Sequence, residues 1–148
     1  GEQLPDTDLM PLINMLGLSD IVRFTGFVSD KEFQSCLKTI DIGINLRTGP
    51  TDGEMSGSLA RLLASGRPTI VSNVGGFADL PDDCVVKINQ DESEVDQLVL
   101  ALRRLISDPE SRMAYGEAAR RYVAEELSFD SVAKRYSDFI RECLRLAA

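Results

Sequence analysis

The chain has 148 residues, of which 43% are hydrophobic and 27% are charged, a composition typical of a globular domain with a core rather than of a disordered segment. Its net charge is −8 and it has no basic cluster, which excludes nucleic acid as a partner because phosphate contacts need massed Lys and Arg. It has no histidine, so it lacks the Ser–His and Cys–His pairs of nucleophilic catalysis, and we predict neither a metal site nor a bound cofactor.

The first part of the chain predicts a helix, a strand and a second helix. Leucine and isoleucine recur at helical spacing over residues 8–16, and residues 21–25 form a strand-like apolar run. Ser29 and Glu32 have the spacing of a capping box, which predicts a helix running to about residue 39. The residues expected to be buried on this helix are Phe33, Cys36, Leu37 and Ile40.

A β–loop–α–β unit follows in the middle of the chain. Residues 42–46 and 69–72 are strand-like, and residues 59–64 between them are helix-like. The loop of residues 46–58 therefore lies at the carboxyl end of a strand, which is where open α/β sheets bind ligands.

The composition of this loop suits an anionic or sugar ligand. It has three glycines, which let a backbone approach a ligand closely, and Ser56 and Ser58 are good N-cap residues. The free N–H groups of the helix that follows would face an anion. Glu54 lies one step before that turn, within reach of sugar hydroxyls, although the same residue types also form ordinary surface loops.

The remainder of the chain predicts a second glycine loop over residues 73–81, a strand over 85–88 and three helices. The glycine loop fits a plain turn or a ligand contact equally well. The helices are predicted over residues 93–107, from the N-cap Asp108 to about 127, and from the N-cap Ser128 onward. The stripe residues expected to be buried are Val95, Leu98, Val99, Leu102, Leu105, Ile106, Val132, Tyr136, Ile140 and Cys143. Alternating strands and helices predict an α/β fold with a parallel sheet.

Two segments carry a family resemblance. Residues 53–58, Gly-Glu-Met-Ser-Gly-Ser, and residues 64–68, Ala-Ser-Gly-Arg-Pro, resemble the C-terminal domain of family 4 retaining glycosyltransferases, which have a GT-B architecture of two Rossmann-like domains. Further matching pieces, in family order, are residues 22–28, 41–42, 73–76 and 128–129. The resemblance implies that residues 1–148 form one partial GT-B C-terminal domain with a Rossmann-like parallel sheet, truncated at its N-terminal side.

The resemblance also implies a strand order of 3-2-1-4-5-6 in the family. Residues 21–25, 42–46, 69–72 and 85–88 then correspond to strands 3, 4, 5 and 6. Strands 1 and 2 would lie between the first two of these runs. We therefore expect residues 21–25 and 42–46 to make no direct ladder bonds with each other, although a sliding of the first run or a strand exchange between copies is also physically possible.

The function implied by the resemblance is donor binding in an enzyme that moves a sugar from a nucleotide diphosphate sugar to an acceptor hydroxyl, with retention. Glu54 would be the catalytic residue, and the residues expected to contact the donor nucleotide sugar are Phe27, Val28, Gly53, Ser56, Gly57, Ser58 and Arg61. The family has a second glutamate where this chain has Arg61, and Glu54 lies seven residues before it rather than eight. Either Glu54 takes over the ribose contact of that glutamate, or the donor is held differently.

The acceptor, which the sequence does not identify, would be bound by an N-terminal GT-B domain absent from the chain, so the chain alone is expected to be inactive. The alternatives are a non-catalytic GT-B-like binding module and another α/β nucleotide-binding domain. Three scattered cysteines suggest reduced thiols and a cytoplasmic location, with a membrane surface reached through the missing domain as a further option. No transmembrane segment is predicted.

Overall fold

The computed structural model describes residues 8–49, residue 54 and residues 56–146. The chain forms two compact units, and the division falls between Lys38 and Thr39. The helices of the first unit are α1 (Met10–Met15) and α2 (Asp30–Thr39). The elements of the second unit are β1 (Gly43–Asn45), α3 (Gly57–Ser65), β2 (Thr69–Ser72), α4 (Gly75–Ala78), β3 (Val86–Ile88), α5 (Glu94–Ser107), α6 (Pro109–Glu126) and α7 (Phe129–Leu146).

Helix α2 begins with the predicted capping box. The Ser29 N–H and hydroxyl both donate to Glu32 Oε2, at 2.8 and 2.7 Å, and the Glu32 N–H donates to Ser29 Oγ at 3.3 Å. These hydrogen bonds from Ser29 lower the pKa of the Glu32 carboxyl, because they favour its charged form. Leu37 is buried as predicted, but the prediction for Cys36 was wrong, since its side chain is exposed.

The strand predicted over residues 21–25 was wrong. The N–H groups of Ile21 and Val22 both donate to the Leu18 carbonyl, at 3.0 and 2.9 Å, and so form a turn. A strand is stable only when a neighbouring strand satisfies its backbone groups. Among the described residues, the sheet gives these five residues no partner.

The sheet of the second unit confirms the predicted fold class. Its three strands are parallel and adjacent in the order β1-β2-β3, which matches the order expected for family strands 4, 5 and 6. The register aligns Ile44 with Ile70 and Ile70 with Val86. Strand β2 lies in the centre and is buried along its whole length. The expected lack of a ladder between residues 21–25 and β1 stays a prediction, because residues 21–25 form no strand in the described part of the chain.

Two hydrophobic clusters cover the two faces of this sheet. Successive side chains of β2 point to opposite faces, so Ile70 belongs to one cluster and Val71 to the other. The first cluster contains Leu59, Leu63, Val71, Phe77, Leu80, Cys84, Val85, Ala118 and Ala119. The second contains Ile70, Ile88, Ala101 and Leu105. The sheet is therefore the middle layer of an α/β sandwich.

The C-terminal end of α3 is fixed against α6. Gly66 ends α3 in the left-handed conformation, with φ 69°, and a Cβ on Gly116 would overlap the Gly66 carbonyl oxygen. Arg120 donates to the Ser65 carbonyl at 2.9 Å and so satisfies one of the last carbonyls of the helix. This packing sets the position of α3, and therefore of its N-terminus.

Other sequence predictions need correction. On α5, Leu105 is buried as expected, but Val95, Val99 and Ile106 are exposed. No described residue of α7 is buried, so the buried stripe predicted there, including Cys143, was wrong. Helical spacing shows which residues share a face, but not whether another element covers that face.

Part of the glycine loop of residues 73–81 is the short helix α4, whose Phe77 is buried. None of the described helices is long and apolar enough to cross a membrane.

Candidate functional site

Polar side chains gather where the three strands end. Asn45 closes β1, Ser72 closes β2, and Asn89 and Gln90 follow β3. Because the strands are parallel, their carboxyl ends meet at one edge of the sheet. The candidate site lies at this edge, as the sequence predicts for the loop after β1.

The N-terminus of α3 is tied to the end of β1. Ser56 is the N-cap, with extended φ −73° and ψ 126°, and its Oγ accepts from the Leu59 N–H at 3.4 Å, which confirms the predicted cap. The Asn45 side-chain amide donates to Ser58 Oγ at 3.0 Å. The two serine hydroxyl oxygens lie 2.8 Å apart. Strand, cap and first turn therefore form one hydrogen-bonded group.

This first turn can bind an anion. The first N–H groups of a helix have no intrahelical partner, and they lie at the positive end of the helix dipole. Gly57 is the first residue of α3, and a Cβ added there would meet no described atom within 4 Å. No atom of the described residues therefore blocks the Cβ position of Gly57, and N–H groups at a helix N-terminus suit a phosphate oxygen.

The loop that leaves β1 is held by two side chains, one at the end of β2 and one just after β3. Ser72 Oγ accepts from the Arg47 N–H at 2.9 Å and donates to the Arg47 carbonyl at 3.1 Å. Gln90 donates its side-chain amide to the same carbonyl, and its Oε1 accepts from the Gly49 N–H at 3.1 Å. The backbone of Arg47 is therefore fixed by the last residue of β2 and by a residue two positions after β3.

The side chain of Arg47 forms an ion pair with Glu54. Its guanidinium carbon lies 4.7 Å from the centroid of the Phe77 ring, a cation–π geometry. The side chain of Arg47 is 24% exposed and that of Glu54 is 52% exposed. The candidate catalytic carboxylate thus contacts a partly buried cation beside the helix N-terminus.

The structure places the predicted site residues in different surroundings. Ser56, Gly57 and Ser58 lie together at the start of α3, with Glu54 two residues before the cap. Arg61 is exposed on the same helix. Gly53 lies outside the described residues. In the first unit, Phe27 is exposed and Val28 is half-buried, just before α2.

Five residues of the site were absent from the predicted set: Asn45, Arg47, Ser72, Phe77 and Gln90. Asn45 and Ser72 could have been predicted as site residues, because each is a polar residue at the carboxyl end of a strand. The contact of Gln90 with Arg47 spans 43 positions, and local sequence patterns do not report contacts of that range.

The family model for glycosyl transferases group 1 matches residues 6–122, most of the chain. The chain belongs to this family. The MMP alpha-(1->4)-mannosyltransferase of Mycolicibacterium hassiacum is 30% identical over 134 residues, which cover 87% of this chain and 31% of that protein. The chain therefore spans about a third of the length of this curated relative.

Solved structures of glycosyltransferases share the fold. HepE from Anabaena, crystallised in complex with UDP, aligns with a TM-score of 0.77 at 17% identity, over 90% of this chain and 36% of HepE. The C-terminal domain of the group 1 glycosyltransferase LpcC from Francisella tularensis aligns with a TM-score of 0.68 at 20% identity, over 82% of this chain and 61% of that chain. The neighbours are GT-B proteins, which confirms the predicted fold.

Proposed function

We propose that this chain is the donor-binding part of a glycosyltransferase that moves a sugar from a nucleotide diphosphate sugar to an acceptor hydroxyl, with retention of configuration. The observation that carries the proposal is the N-terminal turn of α3 at the carboxyl edge of the sheet, in a member of the group 1 family. The UDP in the HepE structure supports a nucleotide diphosphate as the ligand class.

In this proposal the diphosphate binds to the first turn of α3. The N–H groups of Gly57 and Ser58 donate to its oxygens, and the helix dipole favours its charge. When the bond from the sugar to the diphosphate breaks, negative charge grows on the leaving oxygen. Fixed donors at that place stabilise the transition state more than the ground state, which accelerates the reaction.

Glu54 is the proposed acceptor of hydrogen bonds from the donor sugar hydroxyls. Arg61 and Gly53 are proposed donor contacts on the same segment, and Phe27 and Val28 are proposed contacts of the nucleotide in the first unit. In an active enzyme that contains this chain, Glu54→Gln should lower turnover while the fold stays intact. A buried hydrogen bond to a sugar hydroxyl is worth about 1–3 kcal/mol, whereas an exposed carboxylate contributes little to stability.

The ligand test is a titration of the ¹⁵N-labelled chain with UDP, GDP and ADP, followed by amide chemical shifts. We expect weak binding, on the order of 1 mM, because one helix turn and one loop make few contacts. The amides of residues 56–59 and 26–28 should shift. Shifts confined to α5, α6 and α7 would contradict the proposed site.

A non-catalytic binding module is the second candidate function. The observation that favours it is Arg61, which stands where the family has its second glutamate. Measuring sugar transfer with the Glu54→Gln and Arg61→Ala variants separates the two candidates. Unchanged rates in both variants would favour the binding module, and a loss in either would favour the enzyme.

The proposed compartment is the cytoplasm, because three free cysteines are typical of a reducing environment. Cell fractionation tests this, and it also tests the proposed association with a membrane surface through another domain.

A further inference from the structure

The Arg47 guanidinium is held in a fixed place at the candidate site. Its backbone N–H and carbonyl are both bound by Ser72, whose side chain is fully buried, and the carbonyl is also bound by Gln90. The buried ring of Phe77 lies under the guanidinium. A cation fixed in this way loses little conformational freedom when it binds a ligand.

The ion pair of Arg47 and Glu54 joins the two ends of the loop. Arg47 lies two residues after the end of β1, and Glu54 lies two residues before the N-cap Ser56. The Glu54 carboxylate therefore pairs with the guanidinium and, along the chain, comes just before the first turn of α3, whose N–H groups also attract anions. In this structure the Glu54 carboxylate thus occupies the Arg47 guanidinium, two residues before the N-cap of α3.

We propose that Arg47 binds the diphosphate of the donor, and that Glu54 holds its guanidinium only until the diphosphate arrives. Binding then exchanges one anion for another on Arg47 and releases the Glu54 carboxylate for the sugar hydroxyls. This inference rests on the proposed function, and it adds Arg47 as a binding residue and the ion pair as a contact that responds to the ligand.

The charges and the exposure favour this exchange. Glu54 carries one negative charge and its side chain is about half exposed, so water already competes for it. A diphosphate carries at least two negative charges and offers several acceptor oxygens. A guanidinium binds phosphate oxygens with two parallel hydrogen bonds, a geometry in which it surpasses an ammonium.

The rival explanation is a permanent ion pair that only closes the loop. The two explanations predict opposite effects of Glu54→Gln on a ligand that has no sugar. If Glu54 competes with the diphosphate, removing its charge should tighten the binding of inorganic pyrophosphate and of UDP. If the ion pair is permanent, Glu54→Gln should leave the binding of inorganic pyrophosphate and of UDP unchanged or make it weaker.

The experiment is a calorimetric titration of the chain with UDP and with inorganic pyrophosphate, at low salt. We expect Glu54→Gln to bind both probes at least threefold more tightly than the wild type. Arg47→Ala should bind both at least fivefold more weakly. Arg47→Lys keeps the charge but loses the planar fork, and should lie between Arg47→Ala and the wild type.

Asp82→Asn is the matched control. Asp82 forms an ion pair with Lys87 at 2.7 Å, and the substitution changes the net charge by the same amount as Glu54→Gln. Its affinities should equal those of the wild type. If Asp82→Asn tightens binding as much as Glu54→Gln does, the effect is one of net charge and the exchange is overturned.

The remaining outcomes separate this inference from the proposed function. Binding of UDP by the wild type, with no gain in Glu54→Gln, overturns the exchange and leaves the proposed function standing. Equal affinities in Arg47→Ala, Arg47→Lys and the wild type overturn the role of Arg47. Failure of every variant and of the wild type to bind either probe overturns both proposals. Circular dichroism of each variant establishes that the fold is retained.

Discussion

The fully buried Ser72 hydroxyl accepts a hydrogen bond from the Arg47 N–H at 2.9 Å and donates one to the Arg47 carbonyl at 3.1 Å. One side chain at the end of the central strand thus satisfies both backbone groups of the residue that leaves the neighbouring strand. This relationship fixes the start of the site loop, and it explains why a buried serine ends the central strand.

Ser72→Ala should therefore destabilise the second unit. The substitution leaves the partly buried Arg47 N–H without its partner, at a cost of about 1–3 kcal/mol in the free energy of unfolding. Urea unfolding followed by circular dichroism measures this. Ser107→Ala is the control, because the Ser107 hydroxyl donates to a carbonyl on the exposed side of α5. Its effect should stay within about 0.5 kcal/mol, and equal effects would contradict the account.

Gly116→Ala should destabilise the packing of α3 on α6. The added Cβ would overlap the Gly66 carbonyl oxygen, and a backbone atom cannot move aside as the end of a side chain can. Overpacking of this kind costs roughly 1–3 kcal/mol. The neighbouring exposed residue supplies the control, Glu117→Ala. An unchanged urea midpoint in Gly116→Ala would show that the two helices do not approach as described.

The three cysteines should differ in reactivity. Cys36 and Cys143 are exposed, whereas Cys84 is buried and its thiol donates to the Ala118 carbonyl at 3.4 Å. A disulfide reagent at pH 8 should react rapidly with two thiols and slowly with the third, and with all three after denaturation. Rapid reaction of all three in the folded chain would contradict the burial of Cys84.

The same thiol predicts a loss of stability in alkali. Burial first, and then the nearby Asp83 carboxylate, raise the pKa of the Cys84 thiol from 9.0 to about 11. Between these two values the unfolded chain loses the proton while the folded chain keeps it, so stability should fall as the pH rises. Comparing the unfolding midpoints of the wild type and Cys84→Ala from pH 8 to 11 tests this. Parallel pH profiles would count against it.

The capping box of α2 predicts a pH effect of the opposite direction. The hydrogen bonds from Ser29 lower the pKa of the Glu32 carboxyl in the folded chain. The stability that they contribute is therefore present above the ordinary pKa of the carboxyl, and it is lost as the pH falls through the lowered pKa. Ser29→Ala should cost roughly 1 kcal/mol of helix stability at neutral pH and less in acid. Helical content measured from pH 7 to 2 checks this, and an equal loss at every pH would contradict it.

The sequence predicted the parts of the fold that local patterns encode. The apolar run over Thr69–Ser72 is the observed strand β2, and Ser56 and Asp108 cap their helices as expected. The run over residues 21–25 failed because strand formation depends on a neighbour that a local pattern cannot show. For the same reason, the apolar stripe of α7 was read correctly as a helix but wrongly as buried.

The sequence predicted the part of the candidate site at the start of α3, but not the contacts that hold the loop after β1. Serine and glycine before an apolar helix indicate an anion site, whatever lies elsewhere in the chain. The hydrogen bonds to the Arg47 backbone come from Ser72 and Gln90, which follow Arg47 by 25 and 43 positions. No periodicity in the sequence connects these residues. Local sequence patterns therefore do not indicate how the Arg47 backbone is held.

The proposed binding of a nucleotide diphosphate to the N–H groups at the start of α3 can be tested with a pair of substitutions at Gly57. Gly57→Pro removes one N–H, and proline is tolerated at this first helical position because Ser56 is already extended. Gly57→Ala keeps the N–H, and its Cβ meets no described atom within 4 Å. We expect UDP to bind Gly57→Ala as tightly as the wild type and to bind Gly57→Pro several-fold more weakly. Equal UDP affinities for Gly57→Pro and Gly57→Ala, with both variants folded, would contradict the proposed binding.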